Sequence, residues 1–162
     1  MIDDLLKVAE SLAKKKGRNE AALRRAASTA YYAAFHALCE VVANSICSKE
    51  NAALYERVYR MIDHGHINAE RNHFQFDADV ARIRLALDNL RQTRIEADYI
   101  PTTFGRSSRD VLDLITTAAE VICNIRALGD AQREQLAFNL LISPSKPRGD
   151  AGKNAAQKGQ TV

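Results

Sequence analysis

The chain of 162 residues holds no apolar run approaching the roughly 18–20 residues that a bilayer-crossing helix needs. It has no basic-then-apolar leader before a small-residue cleavage site, so neither a membrane span nor a secretory signal is expected. C-x-x-C spacing is missing, and the three cysteines Cys39, Cys47 and Cys123 are odd in number. On one helix Cys39 and Cys47 would stand about 12 Å apart, too far for a disulfide. Free thiols in a reducing cytoplasm are expected. Period-two alternation is absent throughout, which excludes a sheet protein and leaves an all-α chain. The H-E-x-x-H zinc spacing is also absent. His64, His66 and His73 cluster in one loop without a nearby cysteine and read as solvated histidines, so no metal or cofactor is expected.

A one-signed charge excess is missing as well. Residues 143–162 hold four basic side chains (Lys146, Arg148, Lys153, Lys158) and one acidic (Asp150), which is the whole of the chain's net +3. Residues 1–142 carry 19 basic and 19 acidic groups and are neutral. A neutral body does not present a broad nucleic-acid surface. Lys14, Lys15, Lys16, Arg18, Arg24 and Arg25 form one local basic cluster, which reads as a solvated helix end before it reads as a phosphate site.

What the chain does have is helical pattern. From Asn19 to about Ser48 no Pro or Gly interrupts an Ala-rich run, and Asn19 before Glu20 is a cap with an acidic first turn. A helix of roughly 28 residues is about 40 Å long, enough to be the axis of a small bundle. At 100° per residue, Arg25, Thr29, Tyr32 and His36 fall within about 60° of one another, in one polar-aromatic stripe. Ala26, Ala30, Ala33 and Ala37 make a small-residue seam where another helix can approach closely.

Before this element, a helix over about Ile2–Lys16 is expected, with Leu5, Val8, Ala9 and Leu12 on one face and Gly17 as its stop. After it, Asn51–Ile62 carries Leu54, Val58 and Met61 at helical spacing. The stretch 63–77 has no helical apolar period and reads as a loop. Ala78–Tyr99 places Val80, Ile83, Leu87, Leu90 and Ala97 on a core face, with Arg84/Asp88 and Arg94/Asp98 as i, i+4 pairs, and Pro101 ends it. Ser107 and Ser108 suit the cap of a helix over about Arg109–Leu128. A short last helix, Asp130–Ile142, completes the domain of residues 1–142. Residues 143–162, rich in Ser, Pro, Lys, Gly, Asn and Gln, are expected to be a disordered tail. The second, fourth and fifth of these helices have the longest apolar faces and are expected to form an antiparallel bundle core.

Two stretches carry a family resemblance. Arg24-Arg25-Ala26-Ala27-Ser28-Thr29-Ala30-Tyr31-Tyr32-Ala33-Ala34-Phe35-His36-Ala37 resembles the S-R-A-Y-Y-A-x-F-H-A helix of a branch of the HEPN superfamily. Leu90-Arg91-Gln92-Thr93-Arg94-Ile95-Glu96-Ala97-Asp98-Tyr99 resembles the later L-R-x-x-R-x-x-A-D-Y of the same branch, and His64-Gly65 between them is similar to it too. The resemblance spans roughly residues 20–140. It implies an up-and-down antiparallel bundle of about five helices, commonly a homodimer, from bacterial or archaeal toxin-antitoxin and antiviral defence systems. RNA and a cognate nucleotidyltransferase or antitoxin protein are the partners it implies.

Active members of that superfamily are metal-independent ribonucleases with an R-x(4–6)-H motif, in which His moves protons and Arg holds the phosphate. This chain departs from that pattern. In the late helix Asp98 stands where a histidine is called for, and a carboxylate repels phosphate. In the axial helix Thr29 stands where the branch has arginine. Arg60 and His66 keep the spacing but straddle the turn at Gly65. The leading reading is therefore a weakly or non-catalytic module that binds RNA, a nucleotide or a partner protein through Arg25, Tyr32, Arg91, Asp98 and Tyr99. The alternatives are an RNA endonuclease using His36 with Arg25, Arg91 or Arg94, and a helical scaffold or antitoxin subunit without RNA contact. In the leading reading Asp98 orients His36 and raises its pKa.

Overall fold

A computed structural model gives the structure of residues 1–15, 19–47, 50–67 and 77–142, all of it helix and connection. The helices are α1 (Ile2–Ala13), α2 (Glu20–Ile46), α3 (Ala52–Met61), α4 (Ala78–Tyr99), α5 (Ser108–Ala127) and α6 (Asp130–Ile142). Among the described residues there is no strand. The tail expected to be disordered, as well as Lys16, Gly17, Arg18 and His73, lies outside the described residues. No helix is long and apolar enough to cross a membrane among the described residues.

Local chemistry sets the helix ends. Asn19 Oδ1 accepts from Ala22 N–H at 3.0 Å and starts α2. Asn51 does the same for Leu54 N–H and starts α3. Asp77 accepts from Asp79 N–H. Ser107 and Asp110 form a reciprocal capping box at α5, so each of these four starts satisfies a donor the helix leaves unpaired. The first helix stops at Ala13, with Lys14 as its C-cap, three residues before the expected end.

α2 is the axis: it touches each of the other five helices. Its N-terminal part meets the end of α4, through Ser28 with Asp98 and Arg24 with the last α4 carbonyls, so the two run antiparallel. Arg126 near the end of α5 bonds Asp3 at the start of α1, so that pair is antiparallel as well. The bundle core contains Leu38 and Val42 of α2, Leu87 and Leu90 of α4, and Ile122 and Ile125 of α5.

Ala26, Ala30 and Ala33 are 0 % exposed and Ala37 2 %. The small-residue seam is thus consumed inside the protomer, where it lets the chain's own helices approach α2 closely. It offers nothing to a second copy.

One expected face holds except at its edge, and another turns. In α1, Ile2, Ala9 and Ala13 point inward with Leu5, Leu6 and Leu12 beside them, while Val8 is half exposed. Val8 lies about 100° from Ala9, at the edge of the buried arc. In α3 only Val58 is buried, and Leu54 and Met61 are exposed. That short helix docks through Tyr55, Val58 and Tyr59 instead, because Tyr59 is drawn to His36 on α2.

Candidate functional site

The end of α4 meets the first half of α2 in a cluster centred on Arg94. Its Nη2 donates to the Tyr32 hydroxyl at 2.7 Å, and its guanidinium lies over the rings of Tyr32 (5.5 Å) and Tyr99 (4.9 Å). Arg94 Nε stands 2.9 Å from Asp98 Oδ2. Its N–H is not aimed along a hydrogen bond, so the pair is ionic rather than bonded. Asp98 Oδ2 is occupied from its other side by Ser28, whose fully buried hydroxyl donates at 3.0 Å. Arg91, one turn before Arg94, gives Nε and Nη2 to Asp88 Oδ1, each at 2.8 Å.

A loop completes the cluster. Asp63 Oδ1 accepts from the backbone N–H groups of Gly65 and His66, closing a turn that Ile62 and Ile67 anchor in the core. The turn delivers His64 against α2. Its ring sits 4.4 Å from that of Phe35 and 5.7 Å edge-on to Tyr32, and its Nδ1 meets the Tyr31 hydroxyl at 2.7 Å. Tyr31 is 0 % exposed, and burial raises its pKa so that the oxygen keeps its proton. The imidazole tautomer sets which of the two partners donates in this bond. His66 is fixed separately, with Nδ1 accepting from Asp63 N–H.

His36 lies at the edge of this cluster, its ring 6.5 Å from that of Tyr32, and bonds elsewhere. Its Nδ1 meets the hydroxyl of Tyr59 on α3 at 2.7 Å, and the two rings stack at 6.0 Å. The expected Asp98–His36 pair is not made: Asp98 is held at the level of Ser28, and His36 lies eight residues further on, about 12 Å along the axis. The expected rise in its pKa is reversed too, since burial lowers it.

The stripe as a whole divides. Arg25 is exposed, Thr29 is buried with its hydroxyl on the Arg25 carbonyl, and only Tyr32 reaches the cluster. Arg24, from the basic cluster, is spent on backbone carbonyls at the end of α4. Lys14 pairs with Glu10.

Of the sequence-expected residues, Arg94, Arg91, Tyr32, Asp98 and Tyr99 come together, His36 touches them only through the Tyr32 ring at 6.5 Å, and Arg25 does not join them. The residues the sequence reading passed over are His64, Tyr31 and Ser28. Their signals were the Ser28 and Tyr31-Tyr32 positions of the first motif and the His64-Gly65 pair. Among the described residues no group of three or more His, Cys, Asp or Glu is placed to hold a metal ion.

Burial lowers the pKa of His64, with Arg94 adding to it, Asp63 opposing, and Arg91 and His36 contributing in the same sense as Arg94. A histidine whose folded pKa lies below its unfolded 6.5 stabilises the fold fully above that value, and the contribution is lost as pH falls through the folded pKa. The melting temperature is therefore expected to fall as pH drops below about 6.5. His64→Gln is expected to flatten that slope in thermal melts. An equal drop in wild type and variant would contradict it.

Compared with protein-family models, with curated proteins and with solved structures, the chain finds no match in any of the three.

Proposed function

We propose that this chain is a HEPN-type helical module of a toxin-antitoxin or defence system, one that binds RNA or a nucleotide at the Arg94 cluster and cuts RNA weakly or not at all. The observation that carries the binding half is the guanidinium of Arg94 set between Tyr32 and Tyr99, the latter 66 % exposed. A cation beside an open aromatic face is the combination that holds a single strand, the ring stacking on bases and the charge following phosphate. The weak-catalysis half is supported by charge balance. Arg94 and Arg91 each face a carboxylate of their own helix, which offsets part of the pull each guanidinium exerts on phosphate and weakens its stabilisation of a developing phosphorane charge. Self-pairing and a cognate nucleotidyltransferase or antitoxin belong to the same reading, on the strength of the sequence motifs.

The second reading, a metal-independent endoribonuclease, gains one specific support: an imidazole does lie beside Arg94 and Tyr32. That imidazole is His64, not His36. Incubation of single-stranded RNA with the purified protein in excess chelator separates the two. The proposed module leaves the RNA intact, or cuts it at a rate that His64→Ala does not change. Cleavage abolished by both His64→Ala and Arg94→Ala would replace it with the second reading.

A further inference from the structure

The Arg94 cluster occupies one stretch of a longer face. Tyr32 on α2 stands opposite Arg94 on α4, and Ser28 stands opposite Asp98, so the two helices keep step over this turn. In that register the backbone of Tyr99 falls just beyond Ser28, toward the start of α2. Arg25 comes next. It precedes Tyr32 by two helical turns, about 10 Å along the axis with only about 20° of rotation. Arg25 therefore lies on the face of α2 that carries Tyr32, further along than Tyr99. The order along the axis is guanidinium, open aromatic ring, guanidinium.

The two cations differ in what surrounds them. Arg24, Arg91, Arg94 and Arg106 each stand against a carboxylate, of Glu20, Asp88, Asp98 and Glu96 respectively. Arg25 is exposed, and its guanidinium has no such partner among the described residues. Only its backbone carbonyl is used, by the Thr29 hydroxyl. The Asp98 carboxylate lies between the two cations but is engaged by Ser28 and Arg94.

A cation, a ring and a second cation in a row match the repeat of a single strand, which is phosphate, base, phosphate. A nucleoside monophosphate has one phosphate to offer and satisfies one of the two. We propose that the ligand of this face is a single strand of two or more linked nucleotides, laid along α2 from Tyr32 to Arg25, with Arg25 as a second phosphate contact. This rests on the RNA or nucleotide reading above and selects the strand over the free nucleotide.

The test titrates the full chain with adenosine monophosphate, adenosine triphosphate and an oligoadenylate of about six nucleotides, within the site sizes of single-strand binders. The oligoadenylate is also measured at two salt concentrations with Arg25→Ala, Arg25→Lys and Arg94→Ala. It is expected to bind about tenfold or more tightly than either mononucleotide. Arg25→Ala should weaken it about tenfold and lower its salt slope by about 0.7, the value of one phosphate on a single strand. Arg25→Lys keeps the charge and should restore the slope. The Arg25 side chain is exposed, and these variants keep the carbonyl that Thr29 uses, so the fold is expected to stand. Strand binding that Arg94→Ala weakens and Arg25→Ala does not overturns the inference and leaves the Arg94 reading standing. A mononucleotide that binds as tightly as the strand does the same. Binding of neither strand nor mononucleotide overturns both.

Discussion

Replacing Arg24 by Ala is expected to cost about 3 kcal/mol, because it uncovers several backbone acceptors at once. The Arg24 Nη1 donates to the carbonyls of Glu96, Ala97 and Ile100, and its Nη2 to that of Thr102. These acceptors lie at and just past the end of α4, where carbonyls have no partner within their own helix. Glu20 Oε1 holds Arg24 Nε at 2.9 Å and also accepts from Phe104 N–H at 2.9 Å. The guanidinium stands over the buried Phe104 ring as well. One residue near the start of α2 thus fixes both the end of α4 and the connection to α5. In thermal melts the loss should appear as a fall of about 6–12 °C for a chain of this size. Arg24→Lys should recover little, since one ammonium cannot reach acceptors spread along the connection. A variant within 2 °C of wild type, on the order of measurement scatter, would show that water replaces these bonds without loss. Because the same clamp presents Asp98 and Tyr99, the Arg24→Ala protein should also bind RNA less well than its folded fraction predicts.

Asp98→Ala is expected to move stability and binding in opposite directions. It leaves the buried Ser28 hydroxyl without its acceptor and Arg94 without its counter-charge, a loss of about 2–3 kcal/mol. The substitution also releases a guanidinium that retains its bond to Tyr32 and its place beside Tyr99. RNA affinity at constant salt should therefore rise, and the salt dependence of binding should steepen, because the Arg94 charge that Asp98 partly offsets in the wild type then acts on phosphate in full. Were Asp98 itself a ligand-binding residue, as its motif position suggests, the affinity would fall together with the stability. Filter binding at two salt concentrations, run below the melting temperature of the variant, distinguishes these outcomes.

Helix boundaries were legible because they rest on neighbours in sequence. Asp77 and Pro101 bracket α4, and its observed span of Ala78–Tyr99 is the expected one. Ser107 begins α5 through bonds that reach only three residues away. The late-helix half of the site was legible for the same reason: Arg94, Asp98 and Tyr99 share one helix end, and an i, i+4 pair is local geometry.

Contacts between elements were not legible. His64 depends on Tyr31, 33 residues earlier, and on a turn whose closure by Asp63 leaves no apolar period to read. Angular position alone put His36 on the same stripe as Tyr32, and that was correct as far as it went. Angle carries no information about height along the axis, which is what separates His36 from Asp98. Arg84 illustrates the same limit. As half of an i, i+4 pair it reads as a surface residue, yet it is 3 % exposed, and burial lowers its pKa to about 10, with Asp88 opposing. Cys39, by contrast, behaves as its apolar surroundings suggest: it is fully buried, and burial pushes its thiol up to about 12.

The central claim is that a cation and an open aromatic ring at the end of α4 bind a single strand. Fluorescence anisotropy of a labelled single-stranded RNA tests it most directly, at fixed physiological salt and in chelator, with wild type, Arg94→Ala and Tyr99→Ala. Tyr99 is exposed, so its loss should leave the fold intact. The account predicts saturable binding by wild type and a weakening of about tenfold or more in Tyr99→Ala, the size of one lost stacking contact. Arg94→Ala should weaken binding as well and make it less sensitive to salt. Wild-type protein that does not bind, or that binds no better than both variants, would contradict it.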